Sequence, residues 1–535
     1  MITPFLKSTR CTISTLSPVH IGCGEDYYPT NYVIDNGLLH HFSEEGLLSA
    51  LTLPEVNGLA KIAEEQGENG IKKLQEFIYG KKDKLQFHAT HSVPLSKELE
   101  TFYKSRIGQT SQRESGGRTV NNQLNIARHA FNPYNQTPYF AGSSIKGAIR
   151  TALLNAINDG DQLPMRVDSS RDVPRSAGND LQTRLLGYKS IPEDPLRLLK
   201  IGDATYSHAD NLNSAEIRFA VNRKNKTSKF EAKGPSQFLE CLPANRSRAL
   251  TFDVTFLADK DAHYRWSLEK ICGACNEFFV PQLEQELQML QQLNLCNANW
   301  AQGLEKLLAN ELIDAFRENK AFLLRVGQHG GAESNTLEGL RHIKIMQGKG
   351  NPAKYMDKPT TVWLAANNKD QQKDLLPFGW VLVEIGDCKF DNTHTFLKTH
   401  AASDYQQQER LQTLADQRAE FLVKEQQKRE LHAQQEADSI EKERLKQEAE
   451  EAKTAKMADM TAEQQSIFEL QQAFDDAKTK TPDPNGALRQ QLTGAIKQAE
   501  SWSQTDKLAL FEIGSALSNL WGKPKKLKDQ LKVLQ

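Results

Sequence analysis

Apolar and polar residues alternate along Arg10-Cys11-Thr12-Ile13-Ser14-Thr15-Leu16, the two-residue period of a strand with one face in a core. From Asn31 to Phe42 the run is broken by Asn36-Gly37, which predicts a hairpin turning on that pair, and Ser43-Glu44-Glu45 then starts a short helix. At Ile145, Ile149, Leu153 and Ile157 the period lengthens to four, the apolar stripe of a helix facing a core. Leu198–Tyr206, Ala215–Val221, Ala249–Phe256, Phe322–Val326, Thr361–Leu364 and Trp380–Ile385 read as further strands, and Trp266–Leu295 and Trp300–Glu318 as helices. Strands interleaved with helices in both halves predict an α+β fold of two units, residues 1–235 and 236–400.

Two insertions interrupt this pattern. Residues 54–135 read as mixed helix and loop, and within them Gln109–Asn125, rich in Gly, Ser, Arg and Asn, is expected to be mobile. Residues 159–195 are polar and spotted with proline. Past residue 400 the pattern changes again. Gln406–Met457 is mostly Gln, Glu, Lys, Arg and Ala with no Gly or Pro, which predicts one long helix over about 401–458. Its apolar positions Leu411, Leu414, Phe421, Leu422, Leu431, Ile440 and Leu445 keep no heptad, so a solvated or loosely paired helix is expected over a sustained coiled coil. Amphipathic segments around Leu488–Trp502 and Leu508–Trp521 predict a small helical bundle over 459–535, closed by the basic Lys523–Lys532.

Composition narrows the function classes. The 535 residues carry a formal net charge of −1, so any polyanion contact must be a local patch. There is no run of eighteen apolar residues, and Met1-Ile2-Thr3-Pro4 has no leader-like regions, so a cytoplasmic, non-membrane protein is expected. The seven scattered cysteines fit a reducing compartment. Cys272-Gly273-Ala274-Cys275 has ligand-like spacing but no second pair nearby, and it reads as small residues inside a helix. No metal or cofactor is expected.

The most informative stretch is Pro138-Tyr139-Phe140-Ala141-Gly142-Ser143-Ser144-Ile145-Lys146-Gly147-Ala148-Ile149-Arg150. Pro138 and Gly142 punctuate a turn, Ser143 or Ser144 is placed to cap the helix, and Lys146 and Arg150 share a face near its start. A glycine loop opening on a helix N-terminus with two cations is a recipe for holding a phosphate backbone. Gly142 and Gly147 also have the spacing of a nucleotide-triphosphate loop, but Ala148-Ile149 stand where Lys-Ser/Thr is needed, so that reading fails. The plainer alternative is a capped helix with two surface cations. Arg223, Lys224, Lys226 and Lys229, with Glu231 the one acid, look like a basic hairpin arm, or else a solvated surface loop.

Four segments together resemble the RAMP superfamily of CRISPR proteins. They are Leu16-Ser17-Pro18-Val19-His20-Ile21-Gly22-Cys23-Gly24-Glu25, Tyr139–Arg150, Arg325-Val326-Gly327-Gln328-His329-Gly330-Gly331 and Pro377-Phe378-Gly379-Trp380. The resemblance covers residues 1 to about 400. Ala141 stands where a proline is common, and the helical tail lies outside it. It is strongest to the type III effector subunit at the 3′ end of the guide.

The resemblance implies two ferredoxin-like (RRM-like) units that bind guide RNA in antiviral defence and leave sequence readout to base pairing. Gly142, Ser143, Ser144, Lys146, Gly147 and Arg150 would form the main clamp, with His20, Gly22 and Gly24 beside it. Arg325, Gly327, His329, Gly330 and Gly331 would form the matching loop, and Arg223, Lys224 and Lys226 a weaker arm. Implied partners are crRNA, target RNA through it, and other RAMP and small subunits. An endoribonuclease reading would use His20 with Lys146 in metal-free phosphodiester transfer, and Asp26 or Asp35 if target cleavage were shared. An adaptor reading gives residues 401–535 a further protein partner.

Overall fold

A computed structural model describes residues 6–65, 68–109, 111–113, 119–121, 124–160, 176–206, 215–229, 232, 236–258, 265–347, 351–401, 405–478 and 483–535. Glu231, residues 161–175 of the polar stretch 159–195, and residues 110, 114–118, 122 and 123 of Gln109–Asn125 lie outside the described residues. The chain divides into two compact units, Met1–Phe421 and Leu422–Gln535.

In the first unit the alternating opening segment forms the strand Leu6–Thr15, central in an antiparallel sheet. It pairs with Arg246–Leu257 on one side and Trp380–Ile385 on the other, so that Ile13 stands opposite both Leu250 and Val383. Ala321–Arg325 extends the sheet beyond Trp380–Ile385, and the short strands Leu199–Ile201 and Thr205–Tyr206 line the outer side of Arg246–Leu257. One sheet thus draws strands from both sides of residue 235, the boundary expected between two units. Alternation shows that a strand buries one face but says nothing of which strand it pairs with.

The helix Gly142–Asn158 packs on Leu268–Gln292 and on the Leu199–Ile201 and Ala321–Arg325 strands. Of its stripe, Ile145, Ile149 and Leu153 are buried in one cluster with Ile13, Phe279, Leu283 and Leu382, and Ile157 packs half-buried against it. Each such side chain contributes roughly 1.5–3 kcal/mol. The helix expected over 300–318 contains a π-helical stretch, Leu308–Leu312.

A second sheet has the order Leu376–Pro377, Thr361–Ala366, Glu216–Lys224, Gln237–Cys241, Ile126–His129, Gly22–Tyr27. The Gly22–Tyr27 strand is therefore an edge, where a turn alone was expected. The Asn36-Gly37 hairpin forms as read, with φ of +53° and +75°, the left-handed pair of a type I′ turn. His91–Pro94 adds a third strand to it. That strand and Ile126–His129 have four residues each, too short to show a period against their helical surroundings.

The long helix runs Tyr405–Ala458. Its early turns belong to the first unit: Leu411 and Leu414 pack on Leu38, Arg418 donates to Gln86 O and Ser92 Oγ, and Phe421 stacks on Phe87.

In the second unit that helix continues with Leu431, Ile440 and Leu445 exposed, as expected of a solvated helix, and is braced by pairs such as Arg444 with Glu441 and Glu448. Ala462–Ala477, Ala487–Gln498, Gln504–Leu520 and Lys525–Leu531 form a bundle around Leu470, Leu492, Ile496, Leu510, Leu517 and Leu527. Among the described residues no helix is long and apolar enough to cross a membrane.

Candidate functional site

Past Thr15 the chain leaves the first sheet, and main-chain hydrogen bonds knot it to the other glycine-bearing segments. Gly379 N–H donates to Pro18 O at 2.9 Å, and Gln328 N–H donates to His20 O at 2.8 Å. Ile21 N–H donates to His129 Nδ1 at 3.0 Å, and Ala130 N–H donates to Ile21 O at 2.8 Å. The other His129 nitrogen, Nε2, carries the proton and donates to Tyr139 O at 3.0 Å. Phe140 and Ala204 then exchange both main-chain bonds just before the Gly142–Asn158 helix. All four segments, scattered along the chain from Leu16 to Trp380, meet at the end of the opening strand.

The mouth of that helix is less open than the sequence suggests. The cap is Ala141, in extended conformation, with no side-chain hydrogen bond, so Ser143 and Ser144 lie in the first turn instead of capping it. Gly142 N–H is taken by the Asp203 carboxylate at 2.7 Å. A Cβ on Gly142 would stand 2.4 Å from Ile201 O, so the glycine is there to let two backbones touch. Ser143 is exposed and Ser144 half-buried. Lys146 Nζ donates to Leu196 O at 2.9 Å, and its pKa is lowered, first by burial and then by Lys200. Arg150 has a buried Nε with no partner among the described residues, and Gly147 has open space around it.

The edge strand is different. Gly22, Cys23, Gly24 and Glu25 are exposed, and the pairing with Ile126–His129 shifts register between Gly22 and Asp26. Gly24 has φ +85° with nothing within 4 Å of the Cβ position. The backbone here is bulged and open to solvent.

His20 is 1% exposed. Its Nδ1 donates to Glu240 O at 2.6 Å, while Nε2 is buried without a partner among the described residues and lies 3.2 Å from the Cβ position of Gly22. Burial lowers its pKa, against weaker opposing effects of that bond and of Asp26. His129 is pushed down to about 3 by burial and then by His20. His329, at φ +66°, stacks on Trp363 at 4.7 Å and meets Gln237 Oε1 at 3.1 Å, and burial pushes it down to about 4. These are neutral packing imidazoles. Lys146 bonds to the Leu196 carbonyl and feels the charges of Lys200 and Asp194, not of the histidines.

In the matching loop Arg325 is buried, with Nη2 on Glu286 at 2.8 Å and Nε on Phe378 O at 3.0 Å, so it is a structural ion pair instead of a backbone clamp. Gly327 is exposed with φ +85°, and a Cβ there would meet His20 O at 2.3 Å. Gly330 is buried beside Arg325, and Gly331 is exposed at φ +79°. Arg223 is spent on carbonyls of Asn222, Lys369 and Gln371, whereas Lys224 is half-buried and Lys226 exposed. Asp35 pairs with Lys82 at 2.8 Å. Cys272 and Cys275 are buried in the Leu268–Gln292 helix, and burial raises both thiols, Cys272 to about 12. Among the described residues no group of three or more His, Cys, Asp or Glu is placed to hold a metal ion.

Sequence reasoning missed Arg128, His129, Asp203 and Glu240. Glu240 is fully buried between Tyr27 OH at 2.9 Å and His129 N–H at 3.0 Å, and burial raises its pKa. Arg128 lies over the rings of Phe131 and Tyr27 and reaches Glu25 at 3.5 Å. The one available signal was the Arg128-His129 pair in a short apolar run next to Ala130-Phe131.

The family described as RAMP superfamily matches residues 12–297. The chain belongs to the RAMP superfamily. It is 26% identical over 415 residues to "CRISPR system Cms protein Csm5" of Methanocaldococcus jannaschii, which covers 70% of this chain and 88% of that protein. A chain in the cryo-EM structure of a Csm-crRNA-target RNA ternary complex of a type III-A CRISPR-Cas system is 18% identical with a TM-score of 0.43, covering 71% of this RAMP protein and 100% of that chain. The crystal structure of T. onnurineus Csm5 is 17% identical with a TM-score of 0.38, covering 69% and 99%.

Proposed function

We propose that this RAMP protein is a non-catalytic, crRNA-binding structural subunit of a type III CRISPR-Cas effector complex, gripping the guide backbone towards its 3′ end. Target RNA would be reached through the guide. Neighbouring RAMP and small subunits would complete the particle, and residues Leu422–Gln535 would offer a surface to a further protein. The observation that carries the reading is the knot joining Pro18–Gly24, Tyr139–Gly142, Val326–Gln328 and Gly379 at one strand end. Segments that distant are drawn together around two exposed glycine turns, and main-chain contact to phosphates is sequence-blind. Because Asp203 occupies Gly142 N–H, the main-chain grip is assigned to Gly22–Gly24 and Gly327–Gly331, with Lys146, Arg150 and Lys226 as cations beside or beyond it.

The test is the RNA that the assembled complex carries from its native source. Sequencing should return short RNAs with a common repeat-derived 5′ end. Affinity of the full chain for single-stranded RNA should fall with salt at a log–log slope of about 0.7 per phosphate neutralised. Lys146→Ala with Arg150→Ala should shrink that slope while the far-UV circular dichroism stays put. Particles free of RNA, together with a salt-insensitive chain, would end the proposal.

A further inference from the structure

Between the Ile126–His129 strand and the Gly142–Asn158 helix the chain makes a turn over Asn132–Thr137, and at its tip stands Tyr134, 97% exposed. No other large apolar side chain among the described residues is as exposed. A single exposed ring is ordinary on a protein surface. This one stands on a turn held by six hydrogen bonds. Asn132 N–H donates to Thr137 O at 2.9 Å, and Gln136 N–H donates to Asn132 O at 2.8 Å. Asn132 Oδ1 accepts from Tyr134 N–H at 2.9 Å, and Asn135 Oδ1 accepts from Thr137 N–H at 3.1 Å. Gln136 Nε2 donates to Pro133 O at 2.9 Å, and Arg128 Nη2 locks Gln136 Oε1 at 2.9 Å.

The support also fixes where the ring stands. Arg128 reaches Glu25 on the open Gly22–Tyr27 edge as well as Gln136 under the tyrosine. The turn's far end runs through Pro138, bridged to Phe131, into the Tyr139 carbonyl held by His129. Tyr134 therefore projects from the element that links the open glycine edge to the site helix. Its neighbours offer it no aromatic or apolar partner among the described contacts.

We infer that Tyr134 is a stacking platform for an unpaired nucleobase of the RNA whose backbone runs along the Gly22–Gly24 edge. The inference rests on the function proposed above. A ring carried on a pre-ordered turn costs little backbone entropy on binding, any base presents a π-face to it, and no particular sequence is demanded.

The experiment uses the full chain and a short unstructured single-stranded RNA. Tyr134→Ala should weaken binding roughly 5- to 100-fold, the range expected for loss of one base stack. The salt slope should not change, because no phosphate contact is lost. Tyr134→Phe should bind like the parent and Tyr134→Leu like the alanine variant. With an RNA of abasic nucleotides, parent and Tyr134→Ala should converge. Equal affinity of parent and Tyr134→Ala for intact RNA overturns the platform and leaves the subunit reading standing. A loss that comes with a smaller salt slope, or one that Tyr134→Phe shares, also overturns it. A parent chain that binds no RNA overturns both.

Discussion

Gly142 and Gly24 lie in segments of one pattern, yet the structure uses them in opposite ways. Gly142 has ordinary backbone angles and no room: the carbonyls of Ile201 and Gly202 fill the place of a side chain, and Asp203 takes its N–H. Gly24 has the reverse, a left-handed backbone at φ +85° with empty space around it. The first glycine is accounted for by the protein's own packing. The second leaves an open backbone edge that nothing among the described residues covers. A glycine before a helix is thus weak evidence for a phosphate cradle until the occupant of its N–H is known, and here that occupant is a carboxylate.

Acid should collapse the comparison altogether, because both regions hang on His129. Its Nδ1 must stay unprotonated to accept from Ile21 N–H. His20, His129 and His329 all have folded pKa values below the ordinary value of 6.5, His129 near 3 and His329 near 4. Above about pH 6.5 they are neutral folded or unfolded; below it the unfolded chain takes protons first, so stability is lost as pH falls towards about 4. Glu240, raised by burial, works the other way but is a single group against three. The urea midpoint followed by tryptophan fluorescence should fall steeply across that window; a flat profile would mean the histidines are not buried as described.

Gly142→Ala comes next in size. Its Cβ would meet immovable backbone, and such overpacking costs about 3 kcal/mol. The control is Gly147→Ala five residues on, where nothing lies within 4 Å and removing a helical glycine should gain about 0.5–1 kcal/mol. Thermal melts of the two variants should move in opposite directions; a tolerant Gly142→Ala would show the turn to be open after all.

Smallest in stability is Gly24→Ala, which carries only the left-handed backbone strain, about 1 kcal/mol. Its readout is binding: RNA affinity should drop by more than the melting shift would suggest, since the strained residue will pull the edge out of its bulge. An affinity equal to the parent's would sharpen the comparison against a role for this edge.

Local features were legible because they depend on neighbours in sequence. The Asn36-Gly37 turn, the apolar stripe of the Gly142–Asn158 helix, the solvated course of the long helix from Leu422 onward and the terminal bundle all follow from spacing and conformational preference. The motif segments themselves were also visible as glycine punctuation at strand and helix ends. What no periodicity could show was partnership. The sheet that places Leu6–Thr15 between Arg246–Leu257 and Trp380–Ile385 is set by which apolar faces fit. Whether a polar group is free for a ligand is decided by where distant chain arrives: Glu286 at Arg325, Asp203 at Gly142, the Leu196 carbonyl at Lys146. Residue type sets what a side chain can bond to. Only the folded arrangement determines what it does bond to, because most buried polar groups are satisfied by whatever the fold brings within hydrogen-bond reach.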